Sequence, residues 1–245
     1  MTWWLRRRSA AVSPWWPTFT LVWVCLQGAF GALTVTMKLF PAIVTLHLMF
    51  GIGLLALLMA QAVRYDGANK RPLPAGLRTG LWLGFGVLWL QIALGGWVST
   101  NYAVLACPDF PTCHGQWVPE MNWQGFSVWR ELGHTPAGDL LPFSALSSIH
   151  FVHRSAAWLV LAVLVWLGWR LRQQPGLVSA GQWLLGLSAL QFITGLSNVV
   201  LGWPLLAAVM HTGGAAAMVV TLTWALSISR ADNPQSSSNF KKSVP

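Results

Sequence analysis

A chain of 245 residues in which 55% are apolar and only 9% charged, with a mean hydropathy of +0.55, carries too little polar surface to coat a water-soluble globule of its size. Its net charge of +9 would suit nucleic acid if it were gathered into one patch, so the placement of that charge decides the matter. The apolar runs are continuous rather than alternating stretches of about ten residues, which argues against a β-barrel and predicts an all-α, polytopic membrane protein.

In chain order, the opening MTWWLRRRSAAVSPWWP places its arginines after the tryptophans, then Pro14 and Pro17, with no small-residue cleavage site. Residues 1–17 therefore read as a cytoplasmic segment ahead of an uncleaved anchor. Runs near 18–37, 41–62, 79–101, 145–169, 180–201 and 205–229 each approach or exceed the roughly 20 helical residues needed to cross about 30 Å of hydrocarbon. Six transmembrane helices are expected. They fall into a hairpin (18–62), a basic cytoplasmic loop (63–78), a four-helix unit (79–229) interrupted by an extracytoplasmic loop (102–144), and a disordered cytoplasmic tail (230–245).

With alternating helices, the N-terminus, the 63–78 loop, the 170–178 loop and the tail share one side. They hold Arg6, Arg7, Arg8, Arg64, Lys70, Arg71, Arg78, Arg170, Arg172, Arg230, Lys241 and Lys242; only Lys38, Arg130 and Arg154 fall elsewhere. By the positive-inside rule that side is cytoplasmic, both termini included, and the charge is a topology signal for a plasma (inner) membrane protein rather than a nucleic-acid footprint. Many of the seventeen tryptophans stand near the expected helix ends, where amphipathic rings favour the headgroup zone.

One phrase recurs: LQGAFG at 26–31, LQIALG at 90–95 and LQFITG at 190–195. In the first and last copies it is followed by a short proline-containing turn and a histidine. Gln27 to His47 and Gln191 to His211 are both twenty residues; Pro41 and Pro204 stand six and seven residues ahead of their histidines. Helices 1–2 and 5–6 are thus expected to be equivalent hairpins of two related bundles. On that reading one bundle is represented only by its latter half, two helices short.

His47 and His211 lie about six residues inside helices 2 and 6, and His153 about eight inside helix 4, so all three are expected roughly 9–12 Å below the extracytoplasmic boundary at ~1.5 Å per residue. A histidine in lipid must pair, protonate at high cost or bind something. Two neutral imidazoles from facing helices at equal depth can supply the fifth and sixth ligands of a haem iron, and His153 with His211 is the expected pair. His150, one turn nearer the outside, reads either as a support or haem-edge contact or as an interfacial histidine without a role. For Arg154 two readings stand: a haem propionate could take its planar fork of donors, or it could snorkel to the outer interface.

In the outer loop CPDFPTCHGQWVP sets Cys107 and Cys113 six apart around Pro108 and Pro111. Outside the cytoplasm such a pair tends to be oxidised, as a local constraint or as an exchanging redox pair. A zinc site with His114 has an incomplete ligand set. Cys25 reads as packing inside helix 1. Asp109, Glu120, Glu131 and Asp139 cluster in the same loop, where solvation explains them.

With LQIALGGWVSTNYAVLACPDFPTCHGQWVPEMN, IHFVHRSAAW and VVLGWPLLAAVMHTGGA set out, the chain resembles the haem A synthase family of cytochrome oxidase assembly, from about residue 17 to 229. The resemblance implies eight helices in two pseudosymmetric halves. It further implies a b-type haem held by His153 and His211, with His47 in the other half, where haem O is oxidised to haem A at a methyl group that becomes a formyl. It implies partners among haem O, haem A, membrane lipid, haem O synthase and assembly factors, with room for a homo-oligomer. One departure is marked. The family's glutamate-x-x-histidine-arginine motif, which supplies the second substrate-site histidine and a catalytic acid, occurs nowhere in this sequence. His150 occupies the glutamate's place in helix 4, and His47 is left without a cross-helix partner. Three functions remain open at this point: a haem A synthase-like oxidoreductase, a non-catalytic haem-binding, electron-transfer or assembly protein, and a transporter relaying protons through its histidines. Against the transporter stand the cofactor-like pairing of histidines and the lack of a broken-helix pattern.

Overall fold

A computed structural model describes residues 13, 15–68 and 70–231 of the chain. Arg6, Arg7, Arg8, Lys241, Lys242 and the rest of the tail expected beyond residue 231 lie outside the described residues. The expected spans appear as six long helices: α1 (Trp15–Thr36), α2 (Pro41–Tyr65), α3 (Ala75–Thr100), α4 (Phe143–Leu171), α5 (Val178–Val200) and α6 (Leu205–Ile228). At 22 to 29 residues each is long and apolar enough to cross a bilayer. The chain is a multi-pass membrane protein.

Proline sets most of the starts. Pro41 opens α2, and Pro74, Pro142 and Pro204 stand at the caps of α3, α4 and α6, where a fixed φ suits helix entry and the missing N–H costs nothing. The ends of α1, α3 and α5 share one device. The N–H groups of Leu39, Ala103 and Trp203 each bond, at 2.9 Å, the carbonyl five residues back, on Thr34, Val98 and Asn198. The residue before each donor, Lys38, Tyr102 or Gly202, has a left-handed φ of 51°, 54° or 67°. This is the six-to-one cap that ends a helix and turns the chain sharply. Its third occurrence, at the end of α3, brings that helix into the same repeat as α1 and α5, with the long cysteine-containing loop inserted just after the cap.

Helices α3, α4, α5 and α6 pack in a closed ring, α3 against α4 and α6, α5 against α4 and α6; α2 lies against α3 and α6, and α1 packs on α2. The inner half of the ring is filled by Leu77, Leu81, Leu164, Leu167, Leu184 and Leu222. Near the loops a second cluster joins Phe40 and Ile43 of α2 to Trp97, Ala103 and Ile149. Helix α1 buries no residue, and apolar side chains such as Leu83, Leu90, Leu159 and Ile193 face outward, as lipid-facing surfaces do.

At the end opposite the cysteine loop, two short strands, β1 (Arg71–Leu73) and β2 (Ser229–Ala231), pair in parallel. Lys70 Nζ donates to the carbonyl of Ser227, and the Arg71 guanidinium lies against Gly176. Three basic segments therefore meet at one end of the bundle. The expected loop 63–78 is thus partly strand, and Arg230, assigned to a disordered tail, is instead held by ladder pairing with Pro72. A tail read from charge and polarity gives no sign of a partner 158 residues away.

Candidate functional site

The recurrent phrase has a stereochemical reason. Gln27, Gln91 and Gln191 each donate Nε2–H to the backbone carbonyl of His47, His153 and His211, at 3.0, 3.1 and 2.8 Å. A glutamine bonding a helical carbonyl on the neighbouring helix fixes the height of that helix. Four residues on, and so on the same face, Gly31, Gly95 and Gly195 back the rings. A Cβ at each would stand 3.2, 2.9 and 3.2 Å from the Cε1 of His47, His153 and His211. Three hairpins therefore present a histidine in one manner, two residues from the odd helix holding one residue of the even helix. The partnership of Gln91 with His153 spans 62 residues, because the cysteine-containing loop intervenes, and is hidden from inspection of the sequence.

His153 and His211 line one cavity of about 280 Å³ inside the α3–α6 ring. Leu88, Leu164 and Met218 close its inner end; His150, Arg154, Phe110 and Trp203 stand at its outer end. His47 is not among the residues lining it: its ring turns to Gly31 on α1, and its buried Nδ1 has no partner. The structure thus brings together four of the five candidate residues and leaves the fifth on the far side of α2.

His211 Nδ1 lies 2.9 Å from Thr194 Oγ1, and His153 Nδ1 lies 3.1 Å from Gln91 Nε2. The Oε1 of Gln91 is buried without a partner, as is the Oδ1 of Asn198 on the cavity wall. Two imidazoles in one apolar cavity, each backed by a glycine that leaves room for its ring, form the donor set that a six-coordinate haem iron takes. The residues present fit that group.

Above the cavity the loop is tied down by the two flanking residues of α4. Arg154 donates to the carbonyls of Asp109, Pro111 and Thr112 at 3.0, 3.2 and 3.2 Å, and lies over the Phe110 ring at 5.3 Å. His150, 4% exposed, accepts at Nδ1 from the Cys107 N–H at 3.2 Å. Both are thus anchors of the loop as well as residues at the cavity mouth. His114, weighed as a zinc ligand, instead meets the Ala106 carbonyl at 2.8 Å. Among the described residues no three His, Cys, Asp or Glu gather as a metal cluster. Farther out, buried Arg130 bonds Asn101 and the Gly125 carbonyl, and Trp97 donates to that same carbonyl at 2.9 Å; desolvation lowers the Arg130 pKa.

Cys107 and Cys113 are joined in a disulfide, both fully buried. We expect both to resist alkylation until a reductant is added; immediate labelling of both in native protein would exclude the bond. Asp109 shapes the turn between them, accepting from Thr112 Oγ1, from His114 N–H at 2.7 Å and from Gly115 N–H at 3.0 Å. The Thr112 hydroxyl first, then the Gly115 amide, hold its carboxyl well below the usual carboxylate range. A depressed folded-state value stabilises the turn above the unfolded pKa of about 4 and is lost as pH falls below it. The rate of disulfide reduction by an acid-tolerant phosphine, corrected for the reagent's own titration, should be flat from pH 7 to 5 and rise below 4. In Asp109→Asn it should be raised already at pH 7.

These features define a class: a multi-pass membrane protein whose helical hairpins carry histidines on glycine-backed seats, two of them in a shared cavity beneath a disulfide-closed loop. The chain belongs to the family described as cytochrome oxidase assembly protein, which it matches over residues 1–223. Among curated relatives, it is 37% identical over 217 residues to the Heme A synthase of Shewanella oneidensis, covering 84% of this chain and 64% of that one. To the Heme A synthase of Halalkalibacterium halodurans it is 30% identical over 219 residues, 85% of this chain and 65% of the relative. To that of Symbiobacterium thermophilum it is 29% identical over 210 residues, 79% and 60% respectively. The chain therefore spans a little under two thirds of the length of these relatives.

Proposed function

We propose that this chain holds a b-type haem between His153 and His211 and serves the formation of haem A from haem O. The observation that carries the reading is the cavity shared by two glycine-backed histidines, in a chain similar to proteins named Heme A synthase. A haem bound there supplies one-electron redox chemistry. The protein's part is to fix both imidazoles at one height through Gln91 and Gln191, to exclude water with the leucines of the inner half, and to close the outer end with the cysteine loop. Arg154, with guanidinium donors beyond its three loop carbonyls, and His150, whose Nε2 is not used by the loop, are the propionate-side contacts in this reading. Residues 79–229 then form the cofactor-holding unit, and His47 on the α1–α2 hairpin is the ligand offered to substrate haem O. The basic end of the bundle faces the cytoplasm of a plasma membrane, with both termini on that side, and a haem O-producing enzyme and oxidase assembly factors are the partners the chemistry calls for.

A second reading, a haem-binding or assembly protein without catalysis, is favoured by one observation: the Nδ1 of His47 is buried without a partner. Supplying haem O to purified, haem-loaded chain with a reductant and oxygen divides the two. Formation of haem A supports the oxidoreductase. Bound haem with haem O returned unchanged supports the second reading.

A further inference from the structure

The three hairpins seat their histidines alike but hold the outward ring nitrogen differently. The residue before the seating glycine is Phe30 in α1, Leu94 in α3 and Thr194 in α5. Only the last can bond an imidazole, and it does: Thr194 Oγ1 is 2.9 Å from His211 Nδ1. Thr194 is 4% exposed, so water does not compete for either group. Its hydroxyl also lies 2.7 Å from the carbonyl of Leu190 one turn back. A carbonyl can only accept, and a hydroxyl has one proton. That proton is spent on Leu190, and Oγ1 meets His211 with a lone pair. Nδ1 therefore carries the ring proton, and Nε2 is left as a lone pair for the cavity.

We infer that Thr194 is a positioning residue for His211, fixing its tautomer and ring rotation and making it the more electron-rich of two axial ligands. The inference rests on the reading that His211 holds a haem iron. An imidazole whose N–H is bonded to an acceptor is the more basic ligand and is oriented before the metal arrives. A more basic ligand favours ferric over ferrous iron. His153 lacks this arrangement, since the amide nitrogen of Gln91 faces its Nδ1, and the His47 Nδ1 has no partner. The repeat thus contains its own comparison: one seat with a hydroxyl acceptor, one with an amide, one with none.

The test is a redox titration and a haem-retention assay on full chain purified with haem, as wild type, Thr194→Val and Thr194→Ser. Valine keeps the volume and removes the acceptor, leaving Nδ1–H buried and unpaired; serine keeps the oxygen and gives up a methyl group. We expect Thr194→Val to raise the ferrous-to-ferric ratio at a fixed potential about threefold and to weaken haem affinity about tenfold, with Thr194→Ser close to wild type in both. Loss of haem from the valine variant alone is the stronger form of the same result. Unchanged potential and retention in Thr194→Val would overturn the inference, as would equal effects of valine and serine, which would assign the residue to packing. A wild-type protein that carries no haem would instead sink the underlying reading, so the two failures are distinguishable.

Discussion

His153→Ala and His211→Ala should each emerge from purification without the absorbance of a low-spin, bis-histidine haem, while His47→Ala keeps it. Each of the first two removes an imidazole that lines the cavity, one from α4 and one from α6, and a single axial ligand cannot hold six-coordinate low-spin iron. The effect should be on the ligand and not on the fold. Gln91 and Gln191 bond the backbone carbonyls at 153 and 211, and an alanine retains those carbonyls. Thermal unfolding of the unloaded variants should therefore match that of unloaded wild type. His47 lies outside the cavity, so its truncation leaves the spectrum in place; a spectrum lost equally in all three variants would mean that the helices, not the ring nitrogens, had failed.

The second large effect is mechanical. A Cβ on Gly181 would stand 2.6 Å from the carbonyl oxygen of Gly168 and 2.6 Å from the amide nitrogen of Arg172. Both are backbone atoms of the α4 end, so no rotamer change relieves the collision. The α4–α5 seam must part, and with it the ring that holds the cavity. Forcing volume into such a contact costs about 1–3 kcal/mol, and in a chain of this size about 2–4 °C of Tm per kcal/mol. We expect Gly181→Ala to melt about 2–12 °C below wild type in detergent. Gly186→Ala, on the same helix with nothing within 4 Å of its added Cβ, should melt within a degree or two of wild type. Equal Tm values for the two would show that the close approach is not needed for stability.

How far the sequence discloses this molecule depends on whether a feature is written along one helix or across two. The six spans were legible because hydropathy is a property of consecutive residues, and the helices begin and end within a few residues of the expected runs; α3 starts four residues early because Pro74, rather than Arg78, sets its entry. The repeated Leu-Gln phrase was visible, and so was the matched spacing to His47 and His211. Its meaning was not, since a glutamine donating to the carbonyl of a neighbouring helix leaves no trace in either helix alone. The same limit hid Gln91 with His153 and Thr194 with His211. The single sign available for Thr194 was its place before a repeat glycine, where the other copies have Phe30 and Leu94. Arg154 stood open between propionate and interface because its three loop carbonyls exist only once the Cys107–Cys113 turn is folded over the helix end. The pairing of β1 with β2 was missed outright, for three-residue strands from a basic loop and a polar tail show no alternation to read.

Electron paramagnetic resonance of the oxidised wild-type protein, expressed with adequate haem and with its histidines labelled with nitrogen-15, tests the central claim most directly. The account predicts one low-spin ferric haem per chain with two coupled histidine nitrogens, one lost on removing His153 and the other on removing His211. A colourless protein, or an iron coupled to a single histidine nitrogen that survives both substitutions, would contradict it.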